Sequence, residues 1–463
     1  MRFLQSPTHV LWLKESRAVL HLSVPLALTQ IAHMAISTTD VVMMGWIGAD
    51  ALAAGTLTSH FYWFFVAFAM GMLTGATPVM AQHLGARRFR RIRPAFRNAA
   101  WLALMLAVPV AMAAWFSGTL LGWLDQDPEI ASAGQSYLRH MVFGLIPGLW
   151  LVVVTELLVV HGRPRAVLVV TLGGIGLNAV LDYMLMFGNW GAPELGLDGA
   201  GIASAGVNFC MFVALAAYAL SLRQLKRYRL LGRFWRIERP VFFEIMRVGT
   251  PIAVTEVAEM GLFIATSLLM GLLGTEVLAA HGVTAQCYAI FFMIPVGLAQ
   301  AGAVRVGLAA GAVSRDDVAR AGWTASAMAG IAATVLVSFF CLAGSDITGL
   351  ILDPEIPENA SAAALAVTLL RVASFFMIFD AVQIASRGAL QGLKDTKVPM
   401  FIALGTSWGV GLPSALALGF WADLGGLGIW LGMATAMLVA SALLVSRLKR
   451  QVDRFGMPET VSP

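Results

Sequence analysis

Charge is what this sequence has little of. Of 463 residues only 12% are Asp, Glu, Lys or Arg, against 59% hydrophobic, and the mean hydropathy is +0.79. A soluble domain carries about 25% charged residues, so a soluble globular protein is excluded. Cysteine is also scarce. Cys210, Cys287 and Cys341 are the whole complement, with no CxxC or Cys/His cluster. That removes disulfide frameworks and zinc sites and leaves three small residues expected to be buried in spans. A cleavable signal peptide is not expected, because Lys14, Glu15 and Arg17 interrupt the first residues. Residues 1–16 read instead as an amphipathic cytoplasmic lead-in. Gly199-Ala200-Gly201 is too short for a dinucleotide fold and reads as a packing contact.

What remains is apolar, in blocks of about 20 residues, each long enough to cross a bilayer. Twelve occur, near 17–44, 51–80, 95–118, 132–160, 164–188, 199–222, 242–271, 277–306, 320–343, 360–388, 396–419 and 425–448. Lipid offers backbone groups no partners, so these spans are expected to be helices. The expected fold is an all-α integral membrane protein of twelve transmembrane helices.

The basic residues keep to alternate loops. Arg87, Arg88, Arg90, Arg91 and Arg93 follow the second span, and seven Lys and Arg lie between Arg223 and Arg239 after the sixth. The other loops carry acids alone, among them Asp125, Asp127, Glu129, Asp353, Glu355 and Glu358. This asymmetry predicts that both termini are cytoplasmic. The basic clusters are then topology determinants that can touch anionic headgroups, and nucleic acid is not an expected partner.

The chain also repeats itself. Shifted by 226 positions (256 − 30), the first half meets the second without a gap. Pro25 falls on Pro251, Thr29 on Thr255, Gln30 on Glu256, Gly45 on Gly271, Leu52-Ala53-Ala54 on Leu278-Ala279-Ala280 and Gly85 on Gly311. Such a repeat predicts two pseudo-symmetric six-helix bundles. The expected division is an N-lobe over 17–222, a basic cytoplasmic linker over 223–240, a C-lobe over 241–448 and a cytoplasmic tail over 449–463. Six spans per half make the repeat parallel, with an axis along the membrane normal. Pro25 and Pro251 stand at equivalent places in spans 1 and 7 and are hinge candidates.

Ionisable groups inside the hydrocarbon are the functional candidates, since each costs about 2.5–3.5 kcal/mol at the centre. Asp40 lies in span 1, Asp182 in span 5, Glu256 and Glu259 in span 7, and Asp380 in span 10; Glu156 in span 4 is nearer the cytoplasmic end. The spans contain no lysine to neutralise them and read as nearly free of basic groups. A buried carboxylate that can take either a proton or a cation is the minimum needed for antiport. Asn178 and Asp182 stand one turn apart on one face, and Asp40 and Ser204 can complete an oxygen cage for a hard cation such as Na+. In the second half, Glu256, Glu259 and Asp380 form the corresponding set, with one of the two glutamates expected to be neutral. Arg139 and Arg371, near the outer ends of spans 4 and 10, are expected to snorkel outward. Clustered Met and Phe, such as Phe291-Phe292-Met293, suit lipid contact or an adaptable apolar cavity.

Five stretches carry a family resemblance: FGNWGAPELGLDGAGIAS (187–204), VGTPIAVTEVAE (248–259), GTEVLAAHGVTAQ (274–286), VRVGLAAG (304–311) and FDAVQIASRGALQGLKDTK (379–397). In these the chain resembles the multidrug and toxic compound extrusion (MATE) family, closest to its bacterial NorM-like branch. The resemblance implies two six-helix lobes around a V-shaped central cavity. It also implies a transporter, not an enzyme, of the bacterial inner membrane, without a cofactor and monomeric. Its activity would be export of amphipathic, mainly cationic organic compounds in exchange for Na+ or H+. Glu256 and Asp380 match the C-lobe coupling acids. Asp40, Asn178 and Asp182 match the N-lobe polar cluster, with Ser204 where Thr is common. The family's Ala-Ala-His-Gln is here Ala279-Ala280-His281-Gly282, which lacks the glutamine. Two other readings weigh less. A flippase or exporter of a lipid-linked or other metabolite in the same superfamily would want many basic residues for pyrophosphate. An intramembrane aspartyl protease would want a Gly-x-Gly-Asp signature, which is absent.

Overall fold

The computed structural model describes residues 7–123, 125–349, 351 and 359–456. The outer-loop acids Asp353, Glu355 and Glu358, the first six residues of the lead-in and residues 457–463 of the tail lie outside the described residues. Those described are mostly helical and contain no strand. Among the described residues, twelve helices are long and apolar enough to cross a membrane: α1 Val10–Ile47, α2 Ala49–Gly85, α3 Phe89–Trp115, α4 Pro128–Val160, α5 Pro164–Phe187, α6 Leu197–Ser221, α7 Arg239–Leu272, α8 Thr275–Gly311, α9 Arg315–Gly349, α10 Ala360–Gly392, α11 Lys397–Trp421 and α12 Gly425–Arg454. The chain is an all-α integral membrane protein. Most helices run past the apolar windows read from sequence. A helix of 37 residues is about 55 Å long, against about 30 Å of hydrocarbon, so its ends reach the headgroup layers.

By packing the chain divides into two units, and the division differs from the expected lobes. One unit, here the N unit, is Leu28–Ala253; the other, the C unit, joins Met1–Ala27 to Val254–Pro463. The start of α1 therefore packs with the second half, and the start of α7 with the first. Both divisions fall two residues beyond a repeat proline, Pro25 or Pro251. A repeat records which segments are alike, not which of them touch, and glycine shows why these do.

In the N unit, a Cβ built on Gly71 of α2 would stand 2.7 Å from the Cα of Ala253 on α7. In the C unit, a Cβ on Gly297 of α8 would stand 2.7 Å from the backbone nitrogen of Ala27 on α1. The two contacts are repeat equivalents (297 − 71 = 226; 253 − 27 = 226). Without a side chain, each glycine lets backbone meet backbone, which is how helices associate where lipid removes the hydrophobic drive.

The lead-in is not a separate element, because helix already begins at Pro7 and runs to Ile47. Glu15 on it receives two hydrogen bonds from Arg305 of α8, at 2.7 and 2.6 Å, within the C unit. The linker is not a free strap. After one short helical turn, Arg223–Lys226, it proceeds by turns, with Leu225 and Leu230 buried. Of the cysteines, Cys287 is buried as expected, whereas Cys210 and Cys341 are exposed. A small residue in an apolar span can be accommodated on an outward face as well as an inward one.

Candidate functional site

The N unit gathers four of the residues picked out from sequence. α1 brings Asp40, α5 brings Asn178 and Asp182 one turn apart, and α6 brings Ser204. The Asn178 amide donates to Oδ1 of Asp40 at 2.8 Å, and the Ser204 hydroxyl donates to Oδ2 at 3.3 Å. Asn178 and Asp182 are fully buried and Ser204 nearly so. Asp40 is thus held by two neutral donors. Its partners have oxygens to spare. Oδ1 of Asn178 and both carboxylate oxygens of Asp182 are buried and receive no hydrogen bond from a fixed donor, Asp182 lying instead against the carboxyl of Asp40. Three such acceptors together are costly unless a proton or cation meets them. A small hard cation wants this oxygen chemistry. Among the described residues no group of three or more His, Cys, Asp or Glu side chains gathers as a metal site. The cluster differs from such a site in drawing on an amide and a hydroxyl. Glu156 is held separately, by the hydroxyl of Thr77 on α2.

In the C unit, α7 supplies Glu256 and Glu259, α10 supplies Asp380, and α8 supplies Tyr288. The Tyr288 hydroxyl donates to Oδ2 of Asp380, and both residues are 5% exposed. The expectation that basic groups are nearly absent does not hold here. Arg387 lies seven residues beyond Asp380, two turns along the same face of α10. It is buried, and its Nη1 donates to Oε1 of Glu259. Its Nη2 lies 3.9 Å from Oε1 of Glu256. The guanidinium sits beside both glutamates and offsets part of the repulsion that their spacing implies. The glutamates differ in access. The Glu256 side chain is 47% exposed and that of Glu259 27%. Glu256 is the open carboxylate and Glu259 the engaged one.

Among the described residues, Arg387 is one of three span arginines bonded to a glutamate, with Arg97 to Glu238 at 3.0 Å and Arg305 to Glu15. The signal for Arg387 was present in the sequence. It falls inside the tenth apolar block, in register with Asp380, but near the block's end, where a charge reads as topology. Trp408 of α11 is a second residue that sequence reasoning passed over. Its indole donates to the carbonyl of Ala258 at 3.2 Å, between the two glutamates in sequence, from a π-helical turn over Ser407–Gly411. Such turns are frequent at functional sites.

The remaining candidates stand apart from these clusters. Arg139 is exposed, bonds the carbonyl of Trp115 and lies 5.1 Å over its ring, a cation–π contact. Arg371 is exposed as well. Phe291 packs edge-on against the fully buried Phe340, and Met377 is buried, so these two serve the interior of the C unit. Phe375 is 55% exposed. His281 is buried with its Nε2 on the hydroxyl of Ser267 at 3.1 Å. Gly199 and Gly201 let α6 approach the backbone carbonyls of Leu185 and Tyr137 closely, as packing glycines do.

Comparison with known proteins agrees with this architecture. The MatE family model matches twice, over residues 25–184 and 251–417. The two matches begin at the repeat prolines. A protein of Mesorhizobium japonicum named "Probable multidrug resistance protein NorM" is 38% identical over 457 residues, covering 97% of this chain and 96% of that one. A protein of the same name from Rhizobium meliloti is 38% identical, covering 97% of each. The structure of a MOP superfamily transporter from Pyrococcus furiosus superposes with a TM-score of 0.87 at 18% identity, covering 96% of this chain and 97% of that one. That likeness speaks for the fold, and the sequence relatives for descent. The chain belongs to the MatE family, among its NorM-like members.

Proposed function

We propose that the protein is a secondary antiporter that exports amphipathic, mainly cationic organic compounds in exchange for Na+ or H+ by alternating access. The observation that carries the reading is the pair of acidic clusters, one per unit, on helices long and apolar enough to cross a membrane. The names of the relatives, which specify multidrug resistance, support the substrate class. In the N unit we assign the coupling ion to Asp40, Asn178, Asp182 and Ser204, because the buried oxygens of Asn178 and Asp182 that lack a fixed donor call for a positive charge. In the C unit we assign it to Glu256 and Asp380, with Glu259 as the counter-ion of Arg387. Pro25 and Pro251 are the proposed hinges, each interrupting the backbone bonding of a helix whose two ends belong to different units.

Exchange requires that ion and drug favour opposite states, so each weakens the other's affinity by the same factor. Equilibrium binding of ethidium to the purified protein is expected to weaken on adding Na+, or on acidification, by about 5–150-fold. An anionic dye of similar size is expected to bind worse, because the acids outnumber the arginine near them. Ethidium binding indifferent to both ions would sink the exchange reading.

We also place both termini in the cytoplasm of a bacterial inner membrane, on the charge asymmetry of the loops. A reporter fused after Phe455 is expected to be inaccessible from outside intact cells. Labelling of it by an impermeant reagent would reverse the orientation.

A further inference from the structure

The linker between α6 and α7 is tied to the N unit by its backbone, and while Leu225 and Leu230 are buried it turns Leu231 and Trp235 outward. The indole of Trp101 on α3 donates to the carbonyl of Phe234 at 2.7 Å and stacks on its ring. Buried Arg97 donates to the carbonyl of Arg233 at 3.0 Å, and the amide of Glu238 donates to Asn98 at 3.1 Å. These bonds fix residues 233–238 in place. Between and before them, Trp235 is 78% exposed and Leu231 61%. Arg229, Arg233 and Arg236 alternate with these two and are exposed too. Glu238 is the one acid of residues 223–240, and Arg97 holds it. The short α2–α3 loop lies alongside, since Phe89 stacks on Tyr228, and it adds exposed arginines such as Arg88 without any acid.

We infer that this strap is a docking surface for anionic phospholipid of the adjoining leaflet. A chain that spans the membrane holds its inter-span loops at headgroup depth. There a tryptophan sits with its ring at the acyl boundary and arginines meet phosphates. Charge complementarity selects the occupant, because the strap offers guanidinium groups in register with a lipophilic anchor. A soluble acidic partner would use the charge and leave Trp235 and Leu231 in water. The surface does not depend on the coupling roles proposed above, and its failure would leave those untouched.

The test uses the full-length protein in nanodiscs containing brominated phosphatidylglycerol or, at equal mole fraction, brominated phosphatidylcholine. The chain has 13 tryptophans, so the emission of Trp235 is taken as the difference between the parent and Trp235→Phe. That difference is expected to be quenched several-fold more by the anionic lipid. The triple change Arg229→Gln, Arg233→Gln, Arg236→Gln is expected to bring quenching by the two lipids to parity. Arg236→Gln alone, which leaves the tethered residues in place, is expected to give a graded part of that loss even where the triple variant folds poorly. Equal quenching by the two lipids, or none by either, would overturn the proposal, as would a preference unchanged in both variants.

Discussion

Replacing Asp380 by Asn, or Glu256 by Gln, is expected to reduce gradient-driven export to the level of protein-free liposomes. The helices should remain folded. Asparagine preserves the shape of the group that receives the Tyr288 hydroxyl, and glutamine preserves the half-exposed side chain beside Arg387. What is lost is the charge for which a cation or proton exchanges. An ion with equal affinity for both states shifts nothing, however steep its gradient. Downhill movement of drug should survive, so the two assays separate coupling from binding. Export against a gradient at the parental rate in the doubly substituted protein would remove both residues from the coupling assignment.

The second large effect is expected at Arg387. Changing it to Met leaves Glu259 and Glu256 facing each other without the guanidinium. Removing one partner of a buried ion pair costs about 3–5 kcal/mol, and the partial exposure of Glu259 puts this case at the lower end. The variant should unfold at a clearly lower temperature in detergent and should transport poorly. Adding Glu259→Gln should restore most of both properties, because replacing a whole pair by neutral groups of similar volume is often harmless. With Glu259→Gln alone as the fourth protein, these form a double-mutant cycle. A double variant as inactive as Arg387→Met would mean that Glu259 itself carries the ion, as spacing alone had suggested. Recovery would make it a counter-ion that leaves Glu256 open.

These two experiments bear on the parts of the site that differ most in how readable they were. The N-unit cluster was half legible from spacing, because residues four apart on a helix share a face and Asn178 and Asp182 do. Nothing in periodicity says that α1 delivers Asp40 to them, or α6 Ser204. Their chemistry made them candidates and the family resemblance agreed, but only the bonds to Asp40 show the three helices meeting. The C-unit cluster was legible in its acids but not in its arginine. A basic residue near the end of an apolar block reads as a loop determinant, and only the packing of α10 against α7 shows Arg387 turned inward. The twelve spans followed from hydropathy, since a bilayer imposes one length on all of them. The composition of the two units did not follow. It depends on where Gly71 meets Ala253 and Gly297 meets Ala27, contacts between residues far apart in sequence that no local pattern encodes. The outward cysteines illustrate the same limit, because an apolar span looks alike whether a residue faces protein or lipid.

The central claim is exchange of an organic cation for Na+ or H+, and purified protein in sealed proteoliposomes tests it most directly. With a pH gradient and a Na+ gradient imposed separately, at least one should drive ethidium against its own concentration gradient. Collapsing that gradient should stop the movement at once, and an imposed ethidium gradient should move the same ion in the opposite direction. Ethidium that only ever runs downhill, at one rate whatever ion gradient is present, would contradict the account.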